Sequence, residues 1–264
     1  MTASYKEVLL TYADLLGFRA NLRLKNAEEV REALNAFREG TTPEEGFADR
    51  YEVSYFNFSD LIVRATHVHS DANKSYAVGL LFHELSDLAF AQAIMVGLGF
   101  LVRGAVTIGK VYSESNMIFG DALVRAYELE SSLAVYPRII IDPEVLRVFE
   151  QTTCLKKDGH DHETERPYIR NLLAKGDDGI YFVDYLRCWG REDSDNLYSL
   201  LDTHASLIRR FASEATVLDA KSAKVNWLAN YHNEVAREWG DNDLMIKAQD
   251  LPMTFDLPGG EGST

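Results

Sequence analysis

Residues 8–18 have the sequence VLLTYADLLGF, and this stretch decides how the fold begins. The run from Val8 to Leu16 contains a single acid, Asp14, and Gly17 closes it. An apolar run of this length that ends at a glycine predicts a buried strand followed by a turn. A carboxylate inside a buried strand is costly unless something pairs with it, so Asp14 is also a candidate functional residue.

Beyond this strand, segments of helical and strand character alternate along the chain. Periodicity predicts helices over 20–37, 75–98 and 122–133, and strands over 51–57, 61–65, 100–111, 139–141 and 181–186. The strands at 51–57 and 61–65 form a predicted hairpin with its turn near Asp60. The alternation predicts an α/β protein, built as an α+β sandwich with helices packed on a mixed sheet.

Helical periodicity also divides the chain into regions. In the helix over 75–98, Glu84 and Asp87 are expected to face away from the apolar side, which carries Val78, Leu81, Leu85, Leu88 and Met95. Segments 197–211 and 213–239 predict a C-terminal helical extension. We therefore expect a main domain over 1–190, the helical extension over 191–250 and a flexible tail over 251–264.

Composition argues against several classes of function. The chain has 264 residues, with 27 Lys+Arg and 41 Asp+Glu, so its formal net charge is −14. This balance argues against a nucleic-acid polymer or an anionic membrane as the main partner. Cys154 and Cys188 are too few for a disulfide framework and fit a reducing compartment. We find neither a signal-peptide pattern nor a long enough apolar run, and expect a cytoplasmic protein without a membrane partner.

Asp14 and Asp60 are the most informative pair of candidate site residues. Each lies at an abrupt change from strand to turn, in segments 12–18 and 58–63. If the first strand lies beside the hairpin, the two carboxylates meet at one edge of the sheet. Hard divalent cations prefer oxygen ligands, so the pair predicts a metal site. The alternative is that each aspartate only caps its turn through backbone amides.

Together and in this order, the segments resemble the class III nucleotidyl cyclases. Residues 12–18, YADLLGF, are similar to that family's first metal motif, aromatic-x-Asp-apolar-x-Gly-Phe, and Asp60 stands where its second metal ligand lies. Residues 103–109, RGAVTIG, resemble its Arg-x-Gly-x-x-x-Gly strand with one spacer removed, and 119–131 resemble its Phe-Gly-led helix. The resemblance covers about residues 6–150. It implies a cyclase catalytic domain over 1–190 with a ferredoxin-like core.

The chain departs from this family at the helix that supplies its transition-state donors. Aligned without gaps from Phe119, the family's Asn and Arg fall on Val124 and Glu128, neither of which donates to phosphate. Arg103 and Arg125 are candidate catalytic cations in their place, and Arg19 lies near the expected cleft. The departures leave open a catalytically silent, cyclase-like module that binds a nucleotide and acts by regulation.

A second departure concerns the base of the nucleotide. The family's purine-selecting Lys, four residues before the second metal aspartate, is Phe56 here. The chain resembles one branch in particular, the bacterial pyrimidine cyclases of Pycsar antiphage defence, also in 126–130 (AYELE), 136–139 (YPRI) and 227–233 (WLANYHN). This resemblance implies that UTP, or alternatively CTP, is converted to its 3′,5′-cyclic monophosphate, which a separate effector protein reads as a signal.

The resemblance also implies how such a site is assembled. Asp14 and Asp60 would hold two Mg²⁺ or Mn²⁺ ions. Metal and base sites of the family come from different protomers, so a homodimer with composite active sites is expected. The nucleotide-contacting residues that the resemblance implies are Leu15, Leu16, Gly17, Phe18 and Arg19 at the first turn and Tyr55, Phe56 and Asn57 at the base.

Overall fold

The computed structural model describes residues 4–42, 52–114, 117–192, 194–215 and 220–251. Contacts within the chain divide it into two compact units, Met1–Leu197 and Tyr198–Thr264. The tail predicted over 251–264 lies outside the described residues, except for Leu251.

The first unit alternates strands and helices along most of its length. Its first half contains β1 (Lys6–Leu16), α1 (Phe18–Leu24), α2 (Ala27–Gly40), β2 (Val53–Phe58), β3 (Leu61–His67), α3 (Ala72–Ser75), α4 (Leu80–Gly97) and β4 (Leu101–Glu114). Its second half contains β5 (Met117–Gly120), α5 (Asp121–Ser132), β6 (Ile139–Ile141), α6 (Pro143–Gln151), α7 (His162–Leu172), β7 (Leu173–Lys175), β8 (Tyr181–Val183) and α8 (Tyr185–Glu192). The expected α/β class is confirmed.

The strands form one mixed sheet in the order β2-β3-β1-β4-β6-β8-β7, and β5 pairs with β4. The pairs β2–β3, β3–β1 and β1–β4 are antiparallel, whereas β4 and β6 run parallel. In sequence, these first four strands and their helices follow the pattern β-α-β-β-α-β, which with this strand order is the ferredoxin-like arrangement. The predicted ferredoxin-like core is therefore confirmed.

The two faces of the sheet are covered differently. On one face, α5 packs over β4 and β1 through Ala122 and Ala126, against Val8, Leu10 and Val111. On the other face, α4 meets β1 and β3, since the Thr11 and Thr66 hydroxyls donate to its Glu84 carboxylate. Because α5 covers only part of its face, the sheet beyond it remains open. This open area holds the candidate site.

The single helix expected over 20–37 is wrong, because the structure contains two helices there. Lys25 is extended, and Asn26 begins α2 with a capping box in which its side chain and that of Glu29 bond reciprocally to backbone amides. A capping residue inside an apolar helical pattern stops one helix and starts another. The periodicity continues across the break, which is why it gave one helix.

The expected orientation of Glu84 is also wrong. Its carboxylate is 1% exposed and forms an ion pair with Arg64 of β3. The helix itself begins at Leu80 rather than at residue 75, because α3 is a separate turn. Among the described residues, one helix, α4, is long and apolar enough to cross a membrane, and 61% of that stretch is buried inside the protein.

The strand predicted over 181–186 ends earlier than expected. Strand β8 stops at Val183, and α8 begins at Tyr185. The sequence analysis also missed α6, which begins with Asp142 as N-cap and Pro143 in its first turn, and α7, which begins after the N-cap Asp161. Both starts have the residues that favour a helix N-terminus. That signal could have found them.

The second unit contains most of α9 (Ser194–Ser213), α10 (Ala220–Trp239) and two one-turn 3-10 helices, Asn242–Leu244 and Ala248–Asp250. His204 of α9 and His232 of α10 lie buried with their Nδ1 atoms 3.1 Å apart. The Asn233 side chain bonds to both backbone polar groups of Ile246, at 2.9 and 2.7 Å. These contacts tie the segment after α10 to the helix pair.

Candidate active site

Asp14 and Asp60 are brought to the same edge of the sheet. Asp14 lies near the end of β1, where it pairs in register with Leu61 of β3 and Arg103 of β4. Asp60 is the second residue of the two-residue turn that joins β2 to β3. The Leu15 amide donates to the Asp60 carbonyl oxygen at 3.2 Å, which fixes the turn against the end of β1.

The Asp60 carboxyl is close enough to Asp14 to influence its ionisation. Burial raises the pKa of Asp14, the hydrogen bond and charge of Arg103 oppose that shift, and the nearby Asp60 carboxyl raises the pKa further. A partly buried carboxyl beside a second one is unfavourable in its ionised form without additional positive charge. The electrostatics of this edge therefore favour the binding of a cation.

Arg103 lies between Asp14 and Glu130 of α5. Its Nε donates to Asp14 Oδ2 at 3.2 Å, and its Nη2 lies 2.6 Å from Glu130 Oε1. Glu130 is nearly buried, with its side chain 6% exposed. The sequence analysis missed Glu130, because no local pattern shows that this residue on α5 lies beside the end of β1.

An open cavity of about 820 Å³ lies on the sheet face beside these acids. It is lined by Tyr12, Tyr55, Phe56, Asn57, Phe58, Leu61, Val63, Met117, Ile118, Leu123, Val124 and Tyr127. Ligand pockets for small molecules have volumes of a few hundred to about 1,000 Å³ and mostly apolar walls. Tyr12 lies two residues before Asp14 on β1, so both side chains point to this face of the sheet.

The three residues expected at the base differ in what they offer to the cavity. Phe56 packs on the cavity side of the sheet beside the apolar cluster under α5. The Tyr55 hydroxyl instead donates to the Thr41 carbonyl oxygen and accepts from Arg64 Nε at 3.2 Å, so it is engaged elsewhere. Asn57 is exposed at the end of β2 and lines the cavity.

The turn expected at the triphosphate begins where β1 ends. Leu15 and Leu16 have buried side chains, so only their backbone is available to a ligand. Gly17 adopts a left-handed conformation with φ 72°, which glycine adopts readily, and α1 starts at Phe18. Arg19 is exposed.

Arg125 is not brought to Asp14 and Asp60 within the chain. Its guanidinium donates twice to the Asp142 carboxylate, at 2.9 and 3.2 Å, at the start of α6. Asp142 also accepts from Thr107, which pairs with Leu10 of β1, four residues from Asp14. Four strand residues span about 13 Å. Arg125 therefore supports α6 instead of this site.

Two positions on α5, Val124 and Glu128, have side chains that cannot donate a hydrogen bond to phosphate. Val124 is 58% exposed and lines the cavity, and Glu128 is exposed on the same helix. Arg103 is thus the predicted catalytic cation that the structure places beside the two aspartates.

The donor set at the sheet edge fits a hard divalent cation. No group of three or more His, Cys, Asp and Glu side chains that could hold a metal is found among the described residues. Asp14 and Asp60 supply two carboxylates, and Mg²⁺ is commonly held by one or two carboxylates, with water and substrate phosphates completing its shell. The fit is therefore to a metal that binds together with a phosphate ligand.

Comparison with known proteins gives structural similarities only. No protein-family profile and no curated protein sequence matches the chain. Among solved structures, the adenylyl cyclase CyaB from P. aeruginosa is 18% identical with TM-score 0.42, and covers 69% of this chain and 96% of its own. The guanylyl cyclase domain of the RhoGC fusion protein from Blastocladiella emersonii is 13% identical with TM-score 0.41, and covers 69% and 98%.

A third similar structure is a class III adenylyl cyclase-like ATP-binding protein from Pseudomonas aeruginosa. It is 12% identical with TM-score 0.36, and covers 62% of this chain and 40% of its own. Similarity at this level does not carry a substrate or an activity to this chain. What the chain does has to be inferred from its own site.

Proposed function

We propose that the chain is a metal-dependent nucleotidyl cyclase that converts UTP to 3′,5′-cyclic UMP and pyrophosphate, with CTP as the alternative substrate. The observation that carries the proposal is the placement of Asp14 and Asp60 at one edge of the sheet, where Asp14 pairs in register with Leu61 and the Leu15 amide bonds to the Asp60 carbonyl oxygen, beside an open cavity. Two adjacent carboxyl groups repel each other when ionised, so this edge favours positive charge in addition to that of Arg103.

In the proposed reaction, the ribose 3′-oxygen attacks the α-phosphorus. The new P–O bond forms as the bond to pyrophosphate breaks, and the 3′-hydroxyl proton is lost to solvent. Bound Mg²⁺ or Mn²⁺ supplies charge neutralisation for the phosphates and makes the hydroxyl more acidic. Asp14 and Asp60 hold the two cations, and the chain otherwise positions the nucleotide, which carries most phosphoryl-transfer catalysis.

Arg103 is the protein cation of the proposed site. It lies beside Asp14, with its side chain 25% exposed, so it can reach phosphate oxygens that approach a metal at the two aspartates. Arginine recognises phosphate through several donors in a fixed plane. This role replaces the donors that are absent at Val124 and Glu128.

Two residues of the cavity wall, Phe56 and Asn57, support a preference for a pyrimidine base. Phe56 offers a ring for stacking but no donor, and Asn57 offers an amide with both a donor and an acceptor. The exposed amide at the end of β2 suits the carbonyl and ring NH of a uracil, or the carbonyl and amine of a cytosine. Tyr55 contributes only its place in the wall, because its hydroxyl is bonded to Thr41 and Arg64.

The open side of the cavity is proposed to face a second copy of the chain. Exposed apolar side chains surround the opening, with Phe58 81%, Met117 54%, Val124 58% and Tyr127 55% exposed. A contiguous exposed apolar area of this kind marks an interaction surface. A homodimer through this face would bring the Asn57 end of β2 into a composite site.

The biological role is proposed only from the family resemblance of the sequence. We propose a cytoplasmic enzyme of antiphage defence, whose cyclic nucleotide is read by a separate effector. A catalytically silent nucleotide-binding module is the second candidate. It is favoured by Val124, which lines the cavity at a position where the cyclase family has a donor.

Incubation of the purified chain with each of the four NTPs and Mn²⁺, with products resolved by mass, tests the proposal. Wild type is expected to make a cyclic pyrimidine monophosphate, and Asp14→Asn and Asp60→Asn to lose at least a hundredfold in rate. Asp202→Asn, an exposed position on α9, is the matched control and should retain full activity. Sedimentation of the wild-type sample should give twice the 29.8 kDa chain mass.

Each other result assigns the chain differently. A cyclic purine product would overturn the base preference and keep the enzyme class. Nucleotide binding without turnover, with Mn²⁺ present, would favour the silent module. Equal rates in wild type and both aspartate variants would contradict the proposed metal site.

A further inference from the structure

Two carboxylates contact one guanidinium at the proposed metal site, and a third lies nearby. Arg103 contacts Asp14 at 3.2 Å and Glu130 at 2.6 Å, and Asp60 lies next to Asp14. The cluster therefore has more negative than positive groups.

Arg103 competes with any metal for Asp14. A guanidinium that bonds to a carboxylate occupies an oxygen that a cation needs, and like charges at short distance disfavour each other. The competition between Arg103 and a metal for Asp14 weakens if a second carboxylate also interacts with the guanidinium. Glu130 provides such a counter-charge, because its Oε1 lies 2.6 Å from Nη2 of Arg103, closer than the 3.2 Å contact with Asp14.

Glu130 is placed for this role by α5. The helix packs on β4 and β1 through Ala122 and Ala126, and Glu130 lies one helical turn after Ala126 on the same face. Its side chain is 6% exposed, so it is held in place by packing and does not move freely in solvent. A carboxylate fixed in this way can set the position of Arg103.

We propose that Glu130 is a positioning residue that draws the Arg103 guanidinium partly away from Asp14, leaving Asp14 available to a divalent cation and Arg103 available to phosphate. The inference rests on the proposed function, since it concerns the same metal site. It adds a residue of α5 that touches neither the metal nor the substrate. It predicts opposite effects of the two members of the pair on metal affinity.

Titration of the full chain with Mn²⁺ alone, followed by the electron paramagnetic resonance signal of the free ion, tests the inference without any turnover. Glu130→Gln is expected to weaken Mn²⁺ binding about two- to fivefold, the size of one partly exposed charge interaction. Arg103→Gln is expected to strengthen it. Glu130→Asp keeps the charge and should lie closer to wild type than Glu130→Gln does.

The double variant separates positioning from a direct effect. In the Arg103→Gln background, Glu130→Gln is expected to have no measurable effect, because no guanidinium remains to be held. Equal weakening in both backgrounds would show that Glu130 acts by its own charge or as a ligand, and would overturn the inference. Unchanged Mn²⁺ affinity in Glu130→Gln, with its near-UV circular dichroism as in wild type, would do the same.

The outcomes also distinguish this inference from the proposed function. Wild type that binds no Mn²⁺, with or without UTP, would contradict the proposed metal site itself. Wild type that binds Mn²⁺ and loses it in Asp14→Asn, with no opposite shift between Glu130→Gln and Arg103→Gln, would overturn only the role of Glu130.

Discussion

At the residue scale, the ion pair between Arg64 and Glu84 is the most buried charged contact of the first unit. The two side chains are 1% and 0% exposed. The Thr11 and Thr66 hydroxyls donate to the same carboxylate at 2.9 and 3.0 Å, and Asp87 lies 3.4 Å from the guanidinium. Both carboxylate oxygens of Glu84 are therefore hydrogen-bonded in addition to facing the guanidinium, which lowers the cost of burying this charge. The contact joins the β3 strand of the candidate site to α4.

Glu84→Gln should strongly destabilise the protein. The substitution removes the main counter-charge of a buried guanidinium, and breaking such a pair costs about 3–5 kcal/mol. Urea unfolding followed by circular dichroism measures the loss. Thr66→Val, which removes one hydrogen bond to the same carboxylate, is the matched control and should cost about 1 kcal/mol. A smaller loss in Glu84→Gln than in Thr66→Val would contradict the importance of the pair.

At the element scale, the β2–β3 hairpin decides where Asp60 lies. Its two-residue turn places Ser59 in the left-handed region, with φ 57°. Residues other than glycine, asparagine and aspartate are uncommon there, because the side chain crowds the backbone. The strained serine directly precedes the proposed metal ligand, so the turn holds Asp60 at some cost in stability.

Ser59→Gly should stabilise the protein by about 0.5–1 kcal/mol, because the relief of a left-handed residue exceeds the entropy cost of glycine. Asp60 should stay in place, so Mn²⁺ affinity should be unchanged. Thermal unfolding measures the first effect. Ser54→Gly, at an extended position in β2, is the opposite control and should destabilise the protein. Destabilisation by both substitutions would show that the turn is not strained.

At the scale of the whole molecule, the two units differ in the environment of their histidines: His67 and His83 of the first unit are half-buried. In the second unit, His204 and His232 are both buried. Burial lowers the pKa of each, and the neighbouring ring lowers the pKa of His204 further. His232 Nε2 lies 3.0 Å from the Leu244 carbonyl oxygen, so this nitrogen donates and His232 Nδ1 accepts from His204. These hydrogen bonds require a neutral His232 ring, and burial disfavours the charged form of His204.

Among the described groups of the first unit, the pKa shifts act on stability in both directions. Burial lowers the pKa of His67 and His83, while it raises the pKa of Asp14 and raises that of Asp87 to about 6. A lowered histidine pKa gives stability that is present above about pH 6.5 and lost on acidification. A raised aspartate pKa acts in the opposite direction, because that stability is gained as pH falls through 6. The two effects oppose each other.

Acidification from pH 7.5 to 5.5 should therefore weaken the second unit more than the first. Hydrogen exchange, corrected for its intrinsic pH dependence, is expected to show loss of protection in α9 and α10 while β1 and β4 change little. His204→Gln cannot ionise in this range and should reduce the pH dependence in the second unit. Equal losses of protection in both units would contradict the assignment of the effect to the histidine pair.

How much of a feature could be predicted from the sequence depends on how far apart in the chain its interacting residues lie. The strand that carries Asp14 and the hairpin turn at Asp60 were predictable, because strand periodicity and turn residues are local signals. The ferredoxin-like order was predicted only through the family resemblance. The break at Asn26 was missed although its capping box is local, because the apolar period continues through it. Helix α6 was missed although Asp142 and Pro143 at its start are a local signal of a helix N-terminus.

By itself, the sequence determined the class of fold and the two acids of the candidate site, since both depend on patterns within a few residues. Only the tertiary structure decided that Glu130 holds Arg103, that Arg125 supports α6, and that the Tyr55 hydroxyl is turned to Thr41. Each of these depends on which side chains meet across strands and helices. Helix periodicity does not identify the partner of a charged residue, and for Glu84 it did not give the face either, because a buried charge is positioned by its partner.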